Sequence, residues 1–156
     1  MPVVSNSSPL IALAAIGRLD LAASLFHSVS IPPAVAAEIA PSIPNRPTWL
    51  QLRPLTGPLP SSVVRPALGH GEREAIALAL ELRPGHIVVD DLPARRLARA
   101  LGLRVVGTLG ILLVAKHRGL IDRVRPSLDD LVKNSFFVGP DLYEELLQLA
   151  DESASS

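Results

Sequence analysis

Acidic and amide side chains stand at four places in this sequence where their oxygen atoms could share a task. The places are Asn6, Glu38, Glu72 or Glu74, and Asp90 or Asp91. Carboxylates that gather at one point repel one another, so a cluster persists where a cation neutralises it. A divalent cation held in this way lowers the pKa of a bound water and holds a phosphate oxygen. The chemistry that these residues could support is therefore metal-assisted hydrolysis of a phosphodiester bond.

The types of ligand indicate which metal such a cluster would take. Carboxylate and amide oxygens select hard cations, so Mg²⁺ or Mn²⁺ is expected. The chain has no cysteine and only 4 histidines, which show no ligand spacing, and this argues against zinc. The lack of cysteine also fits a reducing compartment. Because no apolar run approaches the roughly 18 residues of a membrane span and no signal-peptide pattern is seen, we expect a cytoplasmic protein without membrane contact.

Each candidate also has an ordinary structural explanation. Glu72 and Glu74 point about 200° apart on one helix, so only one of them can face a shared site. Glu74 lies on the same face as Glu81, which looks solvated, and Glu72 is therefore preferred. Both are equally explained as first-turn acids that favour the helix dipole by about 0.3–1 kcal/mol each. Asp91 could be only the N-cap of the next helix, and Glu38 a solvated residue near a helix end.

The elements that would position these residues alternate between short apolar strands and helices. Strands are predicted at 3–6, 29–31, 87–89 and 103–106, with a further edge strand at 49–53. Helices are predicted at 10–16, 20–26, 34–39, 71–83, 92–101, 111–118, 127–133 and 141–150. The strands look buried, which predicts an α/β fold with a parallel sheet covered on both faces. Short right-handed crossovers then place the strand ends at Asn6 and Asp90 on one edge of the sheet.

Composition sets limits on size and on partners. Hydrophobic residues make up 48% and charged residues 19% of the 156 positions, which predicts one folded domain over residues 1–150 and a frayed tail at 151–156. The net charge is +0, so a nucleic-acid partner would need a local basic patch. Arg95 and Arg99 lie one helical turn apart and could contact phosphates, although a solvated basic face explains them equally well.

Aromatic residues are scarce. They make up 3% of the chain, so platforms for stacking bases are nearly absent. We therefore assign Phe136, Phe137 and Tyr143 to the core or to an interface.

Several stretches of the chain resemble PIN-domain proteins in the order in which that family presents them. They read VVSNSSPLIAL (3–13), IPPAVAAEI (31–39), GEREAIALA (71–79), VVDDLPAR (88–95) and GTLGIL (107–112). The last of these, followed by AK at 115–116 and GLI at 119–121, is similar to a PIN-like subgroup long catalogued only as a domain of unknown function. The resemblance implies a three-layer α/β/α PIN-like fold with a central parallel sheet of about four to five strands.

The same resemblance implies an activity. It is that of a Mg²⁺- or Mn²⁺-dependent ribonuclease, often the toxin of a toxin–antitoxin pair, as in VapC-type proteins. The catalytic positions carried over are Asn6, Glu38, Glu72 and Asp90. The metal ligands would be Asn6, Glu72, Asp90 and Asp91, and the substrate-binding residues would be Ser8, Arg95 and Arg99. The partners implied are an RNA substrate, an antitoxin protein and a second copy of the chain, with helices 10–16 and 34–39 as candidate dimer faces.

One departure from the family pattern matters for function. The family's first acid is an Asp, and this chain has Asn6 there. An amide oxygen can ligate a hard cation but brings no charge and cannot act as a base. An alternative is therefore a catalytically degenerate scaffold that binds RNA or a protein partner. A phosphorelay receiver domain, which also has acids at strand ends, is a second alternative.

Overall fold

A central parallel sheet organises the chain. The structure, a computed structural model, describes residues 2–83 and 85–152. Its strands are β1 (Val3–Ser5), β2 (Val29–Ile31), β3 (Leu50–Leu52), β4 (His86–Val88) and β5 (Arg104–Val106). They pair in parallel in the order β3-β2-β1-β4-β5. The predicted α/β class and five-stranded parallel sheet are confirmed, and the stretch at 49–53 does form an edge strand.

Helices flank this sheet, in keeping with a three-layer PIN-like fold. In the described part of the chain they are α1 (Ser7–Ala15), α2 (Asp20–Phe26), α3 (Pro33–Ile39), α4 (His70–Glu81), α5 (Leu92–Ala100), α6 (Thr108–His117), α7 (Arg125–Lys133) and α8 (Pro140–Leu149). A short 3₁₀ turn spans Ser61–Val63. Helix α4 packs against β1, β4 and α3, while α6 packs against α1 and α2. None of the helices in the described ranges is long and apolar enough to cross a membrane.

The order of the strands separates this fold from a phosphorelay receiver. Receiver domains have the strand order 2-1-3-4-5, in which β1 lies between β2 and β3. Here β1 lies between β2 and β4, and β3 is the edge strand beside β2. The receiver alternative is therefore wrong.

Two helices begin three residues earlier than the sequence predicted. Helix α1 begins at Ser7 because Asn6 adopts the extended backbone of an N-cap, with φ −76° and ψ 169°. Helix α6 begins at Thr108, whose backbone N–H donates to the Asp90 carboxylate at 2.8 Å. Both helix starts therefore lie beside a residue that follows a strand: Asn6 follows β1, directly before α1, and Asp90 follows β4, a different strand from the one that leads into α6. The sequence predicted turns at residues 7–9 and 107–110, and the structure shows that helices α1 and α6 begin within these stretches.

The frayed tail was predicted to begin at residue 151, which is too early. Glu152 is buried, and its side chain accepts hydrogen bonds from the backbone N–H groups of Val124 and Arg125 at 2.7 and 3.1 Å. These bonds tie residue 152 to the start of α7, so the packed domain extends at least to this residue. Residues 153–156, the rest of the predicted tail, lie outside the described residues.

Candidate metal centre

Asn6 and Glu38 meet above a glycine of α4. The Asn6 residue is only 2% exposed, and its Oδ1 has no hydrogen-bond partner in the part of the chain that the structure describes. Glu38, on α3, accepts a hydrogen bond at Oε1 from the Ser7 hydroxyl at 2.9 Å. A Cβ placed on Gly71 would overlap the Glu38 carboxylate and come within 3.3 Å of Asn6 Oδ1. Both oxygens therefore crowd the same point, and a glycine at residue 71 makes the room for them.

Glu72 extends this pair toward the end of β4. Its Oε1 accepts a hydrogen bond from Gly69 N at 2.8 Å. Burial raises the pKa of Glu72 above its ordinary value, and the neighbouring carboxylates of Asp91 and Glu38 raise it further, against the lowering effect of the Gly69 N–H. The carboxylates of Asp91 and Glu38 therefore stand close enough to Glu72 for their charges to disfavour its own.

Glu74 and Asp91 both serve as helix caps. Glu74 Oε1 accepts from the backbone N–H of Ala34 at 3.0 Å, so its carboxylate stabilises the first turn of α3. Asp91 Oδ2 accepts from Ala94 N at 3.2 Å and forms the N-cap of α5. Glu72 also caps a helix, its own, through Gly69 N, and its carboxylate lies beside those of Asp91 and Glu38. Of the two glutamates considered in α4, Glu72 is the one beside the other acids.

Asp90 is held separately by α6. Its two carboxylate oxygens accept from Thr108 N at 2.8 Å and from Thr108 Oγ1 at 2.6 Å. A Cβ on Gly107 would come within 2.8 Å of Asp90 Oδ1 and 2.6 Å of Arg95 Nη1. Asp90 therefore lies at the carboxyl end of β4 as predicted, but its recorded hydrogen bonds go to α6 and not to Asn6, Glu38 or Glu72. Within residues 2–83 and 85–152, no set of three or more Asp, Glu, His or Cys residues is already arranged around a metal-sized gap.

The residues that the sequence predicted to bind substrate do not all lie near this centre. Ser8 is exposed, and it is its neighbour Ser7 that contacts Glu38. Arg95 folds back so that Nη1 donates to the Val89 carbonyl at 2.9 Å. Burial lowers the pKa of Arg95, and the positive charge of Arg99 lowers it further, whereas Asp90 raises it. The guanidinium stays charged at neutral pH and lies beside Asp90.

Two contacts in this region were not foreseen from the sequence. Ser7 bonds to Glu38, 31 positions away in the sequence, and Thr108 bonds to Asp90, 18 positions away. The signal for Thr108 was its place directly after a strand and a glycine, where helix starts commonly lie. Ser7 had a similar signal, because it follows the strand-ending Asn6.

Comparison with known protein families decides the identity of the fold. A family model described as "DUF3368: PIN domain" matches residues 2–152. This chain belongs to the PIN-domain family. PIN domains are a nuclease-type fold whose members are generally nucleases that use divalent metals. No curated protein and no solved structure matches the chain significantly.

The donor set of this PIN domain fits a hard cation. Asn6 Oδ1 is a buried acceptor that lacks a partner among the described residues, and it lies beside a carboxylate. Amide and carboxylate oxygens are the donors that Mg²⁺ and Mn²⁺ prefer. Asn6, Glu38 and Glu72 could therefore hold such an ion, with Asp91 close by.

Proposed function

We propose that this PIN domain is a Mg²⁺- or Mn²⁺-dependent ribonuclease that hydrolyses the phosphodiester bonds of RNA. The observation that carries the proposal is the buried Asn6 Oδ1 beside the Glu38 carboxylate. A buried acceptor without a partner costs about 1–3 kcal/mol, and a cation bound there would remove that cost. We assign the ion to Asn6, Glu38 and Glu72, with Asp91 and Asp90 on its substrate side.

The side chains around the ion have separate tasks in this proposal. When bound, the divalent cation supplies an activated water and stabilises charge on the phosphate oxygens. Ser7 orients the Glu38 carboxylate through its hydrogen bond. Glu72 would contribute a carboxylate oxygen to the ion, whose charge would offset the burial and the neighbouring carboxylates that raise the pKa of Glu72. Arg95 keeps a positive charge beside Asp90, where a phosphate of the substrate would need one.

Cleavage assays on single charge-removing variants test this function. With Mn²⁺ and a mixed RNA pool, we expect Glu72→Gln and Asp90→Asn each to lose activity by about 10–100-fold, the usual effect of removing a partner at or around a metal site. Glu81→Gln is the matched control, because Glu81 lies at the far end of α4 and accepts from Thr56 instead. Cleavage that survives chelation by EDTA, or a Glu72→Gln variant as active as the parent, would contradict the proposal.

The second candidate function is a degenerate PIN scaffold that binds RNA or a protein partner without cutting. It is favoured by the same amide, because rotating the Asn6 side chain by half a turn would aim Nδ2 at Glu38. A hydrogen bond between the two would then satisfy the pair with no cation. Calorimetric titration with Mn²⁺ separates the candidates: the ribonuclease binds the ion at the site, whereas the degenerate scaffold binds it weakly until Asn6→Asp is introduced.

The biological setting is proposed from the family resemblance. We propose a toxin that pairs with an antitoxin protein, located in the cytoplasm. Growth arrest on induced expression, reversed by co-expression of a neighbouring gene product, would support this role. Unimpaired growth with well-expressed protein would count against it.

A homodimer is proposed on the same basis. The large apolar residues of the two suggested faces, Leu10, Leu13, Val35 and Ile39, are buried within the protomer. Only smaller or partly covered residues such as Ile11 and Ala36 remain for a partner. Sedimentation that finds a monomer at all concentrations would reject the dimer.

A further inference from the structure

A groove of about 550 Å³ lies at the carboxyl ends of β4 and β5. Its walls come from α5, β5, the start of α6, the segment before α8, and α8 itself. They include Asp90, Arg95, Val106, Leu109, Phe137 and Leu142. Asp90 is part of the wall and lies two residues after Val88, whose carbonyl accepts from Asn6 N at 2.9 Å, so the groove opens at the same edge of the sheet as the centre. Its volume falls in the range of ligand sites, about 300–1,000 Å³.

An aromatic ring stands open at this groove. Phe137 is 89% exposed, so of the two expected places, the core and an interface, the core is excluded. The end of α7 sets its position: Ser135 has a left-handed φ of 68°, and Phe136 N donates to Leu131 O at 2.9 Å. This hydrogen bond ends α7 and places the next residue, Phe137, at the groove. The backbone before Phe137 is therefore held by a hydrogen bond, and the Phe137 ring is exposed to solvent. An exposed ring contributes no hydrophobic stabilisation to this chain, so a binding role is a reason for its position.

Charges on the two sides of the groove are of opposite sign. Arg95 lines it, and Arg99 is exposed one turn further along α5. Helix α8, on the other side, carries exposed carboxylates at Asp141, Glu144 and Glu145. A polyanionic backbone would follow the arginines and avoid α8. An uncharged, flat group attached to that backbone would point across the groove toward Phe137.

We propose that this groove binds a nucleobase of single-stranded RNA, stacked on Phe137, with the adjoining phosphate beside Arg95. The proposal rests on the proposed function for its class of substrate and adds that the substrate is unpaired at this position. Base-paired RNA keeps its bases stacked inside the helix and offers no free ring face. Stacking on aromatic residues needs no particular base, so the groove selects for strandedness and not for sequence.

Binding of short RNA oligonucleotides carrying 2-aminopurine tests the groove without any cleavage. In EDTA buffer, stacking on Phe137 should quench the fluorescence of one position of the single strand. We expect Phe137→Ala to weaken binding of the single strand about tenfold and to abolish the quenching, with Phe137→Tyr restoring both. Val132→Ala is the matched control, since Val132 is 46% exposed on α7 but does not line the groove. A blunt duplex should bind equally to the parent and to Phe137→Ala.

The outcomes separate this inference from the proposed function. Phe137-dependent binding of the single strand without Mn²⁺-dependent cleavage would uphold the groove and reject the nuclease. Cleavage by a Phe137→Ala variant with unchanged affinity for the single strand would reject the groove and uphold the nuclease. The groove is also rejected if the parent binds no single strand, or if Phe137→Ala disrupts self-association in sedimentation and leaves RNA binding intact, which would make the groove a protein interface.

Discussion

Asn6 is the residue on which the metal hypothesis depends. Its amide supplies a buried oxygen but no charge, so the parent should bind Mn²⁺ less tightly than a carboxylate at the same place would. Asn6→Asp should therefore raise the affinity for Mn²⁺ by about tenfold or more. Without metal the same change buries an uncompensated charge beside Glu38, so the unfolding temperature should fall. Differential scanning fluorimetry in EDTA and in Mn²⁺ should show the two shifts in opposite directions.

Asn6→Ala is the control for this experiment. It removes the unpartnered oxygen without adding a charge, so it should lose the Mn²⁺-dependent gain in unfolding temperature and keep the stability seen in EDTA. If Asn6→Asp instead lowers the unfolding temperature equally in both buffers, the residue is not at a cation site.

Gly71 makes a second prediction at the scale of one residue. Alanine favours a helix over glycine by about 1 kcal/mol, so Gly71→Ala would stabilise α4 if space allowed. Here the new Cβ would overlap the Glu38 carboxylate and push it away from Asn6 Oδ1. We expect a folded protein whose Mn²⁺ affinity drops at least tenfold in calorimetric titration.

Gly57→Ala provides the comparison, because a Cβ at Gly57 meets nothing within 4 Å. Equal Mn²⁺ affinity in Gly71→Ala and Gly57→Ala would show that Glu38 does not need its present position for the ion.

Helix α4 carries two glutamates with opposite expected effects on stability. The Glu74 carboxylate accepts a hydrogen bond from Ala34 N at the start of α3, so Glu74→Ala should cost about 1 kcal/mol, the usual loss for a helix cap. Glu72→Gln keeps an oxygen for Gly69 N and removes a charge that burial and two carboxylates disfavour. It should therefore raise the free energy of unfolding in metal-free buffer at neutral pH.

The pH dependence of the Glu72→Gln effect follows from the direction of the pKa shift. A raised folded-state pKa means that the folded protein binds the proton more tightly than the unfolded chain does. The stability of the parent therefore falls as pH rises through the window between the ordinary Glu pKa, about 4.3, and the higher folded-state value. The advantage of Glu72→Gln should be present above that window and should vanish below it in urea titrations. A variant less stable than the parent at pH 7 would contradict the assignment.

The order of elements was predictable from the sequence because it depends on local patterns. Runs such as residues 87–89 are apolar and end in charged residues, which predicts buried strands. The resemblance to PIN domains gives the order of these strands. Together they predict a parallel sheet with Asn6 and Asp90 at strand ends. The start of α6 was not predictable, because its first N–H, that of Thr108, donates to the side chain of Asp90, which follows a different strand. The pairing of Ser7 with Glu38, and of Thr108 with Asp90, needs contacts across 31 and 18 residues, which no local pattern encodes. The sequence could not decide between the core and an interface for Phe137, because scarcity of aromatic residues says nothing about where each one lies.

At the scale of the whole molecule, Glu152 closes the domain by tying the end of the chain to two earlier helices. Its carboxylate accepts from Val124 N at 2.7 Å and from Arg125 N at 3.1 Å, at the start of α7. It also pairs with Lys116 Nζ of α6 at 3.0 Å, with the Glu152 side chain only 4% exposed. Lys116 in turn donates to the Ala150 carbonyl at 2.8 Å. The C-terminal residues therefore hold α6, α7 and α8 together, although they lie far from the candidate metal centre.

Removing the charge of Glu152 should loosen this closure without touching the site. Burial alone would raise the pKa of Glu152, but the hydrogen bonds from Val124 N, Lys116 and Arg125 N together lower it below its ordinary value. Because the unfolded chain then binds the proton more tightly, the stabilising contribution is complete above about pH 4.3 and is lost as pH falls through the lower folded-state pKa. Glu152→Gln should cost about 1–3 kcal/mol of unfolding free energy at pH 7, and the gap to the parent should close in acid.

Urea titrations of the parent, Glu152→Gln and Asp151→Asn at several pH values measure this effect. Asp151 is the control, since its side chain is exposed and adjoins the same backbone. Binding of Mn²⁺ by folded Glu152→Gln should match that of the parent, because its contacts lie around α6 and α7 and not at Asn6, Glu38 or Glu72. Equal stability of Glu152→Gln and the parent at pH 7 would mean that Glu152 does not hold the three helices together. A difference in unfolding free energy that widens in acid would mean that the hydrogen bonds do not hold the carboxylate charged.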